Sequence, residues 1–268
     1  MSEAGRLGRA FEKARSEHRG AFIPFLTSGF PDPAESDRLA FALCEEGADA
    51  LELGVPFSDP IADGPTIQRT TEVALRAGVT LASVLGQAAR IRNRHPTPLV
   101  LMTYLNPVIR YGARFASDAA AAGVDGLVLV DLPPEEEPEL WRKLRESGLD
   151  TVALVAPTTS AERLARIVPE AGGFLYVVAR LGVTGHGQSD AAVDSTLERC
   201  RALSKLPRCL GFGIDLATPL ERYRGKAEGV VVGSALLDSI LGATSARARE
   251  EEARRFARSF REKVRSLG

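Results

Sequence analysis

Cysteine is scarce and unpatterned in this sequence. Cys44, Cys200 and Cys209 are odd in number and have no C-x-x-C spacing, which argues against a disulfide framework or a cysteine zinc site and fits a reducing compartment. His18, His95 and His186 are scattered, and no set of His, Cys and carboxylates has metal-ligand spacing, so no metal is expected. Long apolar runs are missing as well. None reaches the roughly 18 residues of a membrane span, and the opening "MSEAGRLGRAFEKARSEHRG" is charged throughout, so neither a signal peptide nor a membrane partner is expected and the location expected is cytoplasmic. Charge of one sign is also lacking: 34 basic residues oppose 35 acidic ones, a net charge of -1, which leaves no broad field to attract nucleic acid. No G-x-G-x-x-G follows a strand, so the usual dinucleotide signature is absent. The five lysines, Lys13, Lys143, Lys205, Lys226 and Lys263, fall in helical stretches or before strands, where none can form a Schiff base at a strand end. No cofactor is therefore expected in this chain.

What the sequence does contain is a repeating alternation. The apolar runs "AFIPFLT", "ADALELGV", "PLVLMTY", "GLVLVDL", "TVALVAP", "FLYVVAR", "RCLGFGI" and "GVVVGSA" are separated by segments of helical periodicity, among them 34–47, 135–148, 160–172 and 191–205. Near-continuous Val/Leu strands between helices indicate parallel strands covered on both faces, and eight such units predict closure into a barrel. The expected fold is α/β, a (β/α)8 TIM barrel over residues 1–268 as one domain, with an extra N-terminal helix. Phe256, Phe260, Val264 and Leu267 recur at helical spacing near the end, predicting an amphipathic C-terminal helix on the barrel wall.

Chemistry in such barrels sits at the C-terminal ends of the strands. In "LELGVPFSDPIADGP" (51–65), alternation sets Leu51, Leu53 and Val55 on one face and Glu52 on the other, pointing into the barrel. Desolvation there raises a carboxyl pKa and equips Glu52 as a general acid, although pairing with a neighbour would also satisfy it. The loop behind it carries Asp59 and Asp63 among Pro56, Pro60 and Pro65. It exceeds the usual βα length and is stiffened by proline, so it can hold Asp63 over the barrel mouth; simple Asx-type turns are the alternative.

Glycine-containing segments end the last three strands: "GVTGHG" (182–187), "GFG" (211–213) and "GSA" (233–235). Their backbone amides can approach an anion, and a short helix beginning near Gly233 and Ser234 would add its positive N-terminal dipole, so a phosphorylated small substrate is expected.

Taken together and in order, "LELGVPFSDPIADGPTIQ", "LMTYLNP", "GVTG", "GFGI" and "VVGSAL" resemble the tryptophan synthase alpha subunit family across essentially the whole chain. The resemblance implies retro-aldol cleavage of indole-3-glycerol phosphate to indole and glyceraldehyde 3-phosphate. It assigns acid/base duty to Glu52 and stabilisation of the indole N–H to Asp63. It further implies phosphate contacts from Gly185, Gly213, Gly233 and Ser234, and an indole pocket of Phe25, Met102, Val128, Tyr176 and Phe212, residues that barrel packing explains equally well. Arg180 and Thr184 would belong to a lid, in which Leu181 departs from the small polar residue of many relatives. A β subunit carrying pyridoxal phosphate is implied as partner in an α2β2 assembly, facing Ser58, Asp59 and Pro60. Two alternatives stand beside this one: a neighbouring phosphate-binding barrel enzyme, an isomerase or synthase with a lysine or cysteine at a strand end, and a silent subunit that only binds and activates its partner.

Overall fold

The computed structural model describes residues 5–179 and 190–268. Its strands are β1 (Ala21–Thr27), β2 (Leu51–Gly54), β3 (Leu99–Thr103), β4 (Gly126–Leu129), β5 (Asp150–Thr151), β6 (Ala153–Val155), β7 (Leu175–Val178), β8 (Arg208–Gly211) and β9 (Gly229–Val232). Every paired neighbour runs parallel, in the order β5-β4-β3-β2-β1-β9-β8-β7-β6. Because β5 and β6 are consecutive in the chain yet end the sheet, the sheet curls into a nearly closed barrel. The run "TVALVAP", read from sequence as one strand, is divided at Val152 into β5 and β6. With that division, nine parallel strands build the expected TIM barrel.

Helices α1 (Arg6–Ser16), α2 (Pro33–Glu45), α3 (Pro65–Arg76), α4 (Leu81–Arg92), α5 (Leu105–Tyr111), α6 (Phe115–Ala121), α7 (Pro138–Glu146), α8 (Ala161–Ile167), α9 (Asp190–Leu203), α10 (Ser234–Leu241) and α11 (Ala246–Lys263) accompany the strands. Their starts follow local chemistry. Asp32 accepts the Glu35 N–H at 2.9 Å ahead of Pro33, and Ser245 caps α11 through the Ala248 N–H at 3.2 Å, each satisfying an amide that the helix itself leaves unpaired.

The extra N-terminal helix buries Leu7, Phe11 and Ala14, with Phe11 against Phe174 at 5.7 Å between ring centroids. The C-terminal helix buries Phe256 and Phe260, continued by Val264 and Leu267 in a short 3-10 turn, and Phe260 stacks on Phe22 at 5.6 Å. Among the described residues no helix is long and apolar enough to cross a membrane, and no group of three or more His, Cys, Asp or Glu could hold a metal.

The N-terminal end of the barrel is fastened by a buried ion pair. Arg19 grips Asp49 bidentately at 2.6 and 2.8 Å, while the same carboxylate accepts the Phe22 N–H at 2.9 Å. Removing one partner strands a charge in a dry site. Arg19→Met is expected to cost about 3–5 kcal/mol, measured by urea unfolding.

Candidate active site

A cavity of about 860 Å³ opens at the C-terminal ends of the strands, the end of a barrel at which loops are free to vary. Glu52 lies in its wall, in register with Phe25 on β1 and Val100 on β3. Its side chain is fully buried, and neither carboxylate oxygen has a hydrogen-bond partner. Burial first, and then the negative charge of Asp63, push its carboxyl up to about 8. Tyr176 opposes the rise without reaching the geometry of a formed hydrogen bond. Glu52 thus holds a proton near neutrality in a place where ionising it is costly.

Asp63 also lines the cavity. Its N–H donates to the Pro60 carbonyl at 3.3 Å, and the Gln68 side chain reaches its carbonyl at 2.8 Å, so the loop is pinned from both sides before Pro65 starts α3. Burial pushes its carboxyl up to about 6, and a hydrogen bond from Tyr104 pulls the other way. The two acids therefore separate around neutral pH, one protonated and one ionised.

Tyr104 was not legible as a site residue from its place in "LMTYLNP". It is buried directly after β3, accepts the Ala62 N–H at 3.2 Å, and packs on Phe57 at 5.2 Å. One phenol thus holds the backbone of the loop after β2 and lowers the pKa of its acid. The available signal was a hydrogen-bonding aromatic at a strand's C-terminal end.

Phe25, Met102, Tyr176 and Phe212 line the same cavity, with Tyr176 and Phe212 rings 5.3 Å apart. Tyr176 fits only because position 211 is glycine: a Cβ there would stand 2.3 Å from the Tyr176 ring. Val128 is fully buried but does not line the cavity, where Leu129 and Val130 stand instead.

Gly213, Gly233 and Ser234 form the opposite rim. Phe212 and Gly213 both have positive φ, 63° and 83°, which turns the chain sharply after β8; Ser234 begins α10 with Gly233 at the N-cap. The N–H groups of that first turn have no partner within the helix and suit an anion. Thr66 on α3 donates to Asp238 on α10 at 2.9 Å, tying the carboxylate side of the cavity to this rim. Arg180, Leu181, Thr184, Gly185 and His186 lie outside the described residues. No lysine lines the cavity among the described residues, and Cys209, in register with Tyr176, is buried early in β8 and does not line the cavity, so neither residue stands at a strand end as a neighbouring barrel chemistry would need.

Comparison with known proteins identifies the family. The family model described as tryptophan synthase alpha chain matches residues 11–265. The tryptophan synthase alpha chain of Solibacter usitatus is 45% identical over 258 residues, 96% of this chain and 97% of that one, and that of Dechloromonas aromatica is 46% identical over 243 residues, 90% and 91% of the two. Among solved structures, tryptophan synthase of Mycobacterium tuberculosis superimposes with a TM-score of 0.89 at 38% identity, covering 98% of this chain and 99% of that one. The alpha subunit from Legionella pneumophila gives 0.88 at 36% identity, covering 97% and 98%. With fold and sequence in agreement over nearly its whole length, the chain belongs to the tryptophan synthase alpha chain family.

Proposed function

We propose that this chain cleaves indole-3-glycerol phosphate to indole and glyceraldehyde 3-phosphate by a retro-aldol reaction. The observation that carries the reading is Glu52: a fully buried carboxyl without a hydrogen-bond partner, in the wall of the main cavity, holding its proton up to about 8. Such a group is a general acid at neutral pH.

In this reading, protonated Glu52 delivers its proton to the indole carbon that bears the glycerol chain. Positive charge then develops on the ring nitrogen, whose N–H donates to ionised Asp63, so the carboxylate stabilises the charge where it forms. The Glu52 carboxylate takes the proton of the adjacent side-chain hydroxyl. The carbon–carbon bond breaks, its electrons restore the indole ring, and the hydroxyl carbon leaves as an aldehyde. Glu52 ends the cycle protonated.

Phe25, Met102, Tyr176 and Phe212 would hold the indole, with Val128 packed behind them. Gly213, Gly233 and Ser234 would hold the phosphate through backbone and hydroxyl donors, joined by Gly185; Arg180 and Thr184 would belong to a closing lid. The partner proposed is a β subunit in an α2β2 assembly, itself carrying the pyridoxal phosphate and facing Ser58, Asp59 and Pro60. Ile61, 83% exposed beside those residues, supports a contact there. The unit would work in the cytoplasm as one barrel domain.

The direct assay is indole release from indole-3-glycerol phosphate by the purified chain, with and without a tryptophan synthase β subunit. Release that rises with the partner is expected; no release in either case, with ligand bound, would favour a silent subunit. Glu52→Gln is expected to lower turnover by at least about 100-fold, in the range of lost acid/base catalysis, with phosphate-ligand binding retained.

The pH profile supplies a second check. The active form needs Asp63 ionised and Glu52 protonated, so kcat/KM should fall below about 6 as Asp63 takes up its proton and above about 8 as Glu52 loses one. Because the Tyr104 hydrogen bond lowers the pKa of Asp63, Tyr104→Phe should move the acid limb upward and leave the alkaline limb nearly in place. Gly233→Asp should raise KM through repulsion of the phosphate, read from initial rates.

A further inference from the structure

Helix α3, which follows the Asp63 loop, starts without a side-chain cap. Gly64 stands at its N-cap and Pro65 opens it, so its first turn is held by the Gln68 N–H donating to the Gly64 carbonyl at 2.9 Å and by contacts with other elements. The same helix holds the Asp63 carbonyl, through the Gln68 side chain at 2.8 Å. Where α3 sits therefore decides where Asp63 sits.

The buried polar tie between α3 and the barrel is a pair of hydroxyls. Thr27, the last residue of β1, and Thr70, in the second turn of α3, are 1% and 0% exposed, and their Oγ1 atoms are 2.7 Å apart. The Thr70 hydroxyl donates its one proton to the Ile67 carbonyl at 2.9 Å, so the proton between the two threonines belongs to Thr27. The relay runs from Thr27 to Thr70 to Ile67, a residue of the first turn that lines the cavity. Thr27 is also in register with Gly54 at the end of β2, and the Ser28 N–H donates to the Gly54 carbonyl at 3.0 Å. The end of β1 thus grips the loop that carries Asp63 on both sides, at the strand before it and the helix after it.

An apolar pair could fill the same space, but hydroxyls add direction. If α3 slides along β1, two buried hydroxyls lose their partners, a loss that apolar contacts would not register. The other polar tie of α3, from Thr66 to Asp238, is exposed, where water can replace it.

We propose that Thr27 and Thr70 are positioning residues for the cleavage reaction, fixing α3 against β1 so that Asp63 is held at the cavity. This rests on the reading of Asp63 as the carboxylate that meets the indole N–H. Neither threonine lines the cavity, so both act through the loop. Among the described residues, the titratable groups that face Asp63 are Glu52 on β2, Tyr104 after β3 and Tyr176 on β7. None lies on β1 or α3, and a valine in place of threonine changes no charge, so a change in the titration of Asp63 reports its displacement.

Two readouts separate positioning from packing. One is the pH profile of indole release from indole-3-glycerol phosphate, with a tryptophan synthase β subunit present. The other is an NMR titration of the aspartate carboxyl carbons in the full chain, with the Asp63 signal assigned by its loss in Asp63→Asn. Thr70→Val is expected to lower kcat at least about tenfold with KM little changed. It should also move the titration of Asp63, and the acid limb with it, below about 6, because burial is the larger cause acting on this carboxyl and a loosened loop admits water. Thr70→Ser, which keeps the hydroxyl, should restore both. Thr27→Val leaves the Thr70 to Ile67 bond in place; it should shift the same quantities in the same direction, and it serves if Thr70→Val does not fold. An Asp63 titration unchanged in a folded valine variant overturns the proposal, whether stability alone is lost or kcat falls by another route. If the wild-type chain releases no indole, the cleavage reading fails, and the titration of Asp63 still decides whether the hydroxyls position the acid.

Discussion

The structure turns on one unsatisfied group: the Glu52 carboxyl, fully buried in the wall of a parallel barrel without a hydrogen-bond partner, where ionising an acid is costly. Its surroundings keep it so. Phe25 stands beside it on the neighbouring strand β1 and Tyr176 faces it from β7, and both rings depend on glycine at nearby positions, since a Cβ at Gly54 would stand 2.3 Å from the Phe25 ring and one at Gly211 equally close to Tyr176. The Asp63 charge then adds to the effect of burial. A proton retained near neutrality is thus a property of the packing, and the reactive group cannot be separated from the core that surrounds it.

This arrangement divides labour along the barrel axis. At the N-terminal end, charge is compensated: Arg19 and Asp49 satisfy each other and the backbone of β1. At the C-terminal end, Glu52 is left uncompensated and Asp63 only partly so, its carboxyl meeting Tyr104 while remaining above its usual range. The fold tolerates a costly group at one end because the other end is closed by well-paired ones.

Much of this could be read from residue order. Alternation in β2 put Glu52 inside, the long proline-rich loop flagged Asp63, and "GSA" marked the start of α10, because each signal is local and has a period or a length attached to it. Contacts between distant segments left no such trace. Tyr104 looked like one more aromatic in an apolar run, and the Thr66 to Asp238 link joins residues 172 positions apart. The break at Val152 was equally silent, since Val152 is buried whether the strand is continuous or divided.

The stacking of Phe260 on Phe22 has a bearing on how the molecule is made. β1 leaves the ribosome long before α11, yet α11 is part of its helical cover, and the Gly20 N–H beside β1 donates to the Val264 carbonyl at 2.9 Å. The apolar surface of β1 must therefore wait for a segment far along the chain, and until that segment is made it is available to chaperones and to other unfinished chains.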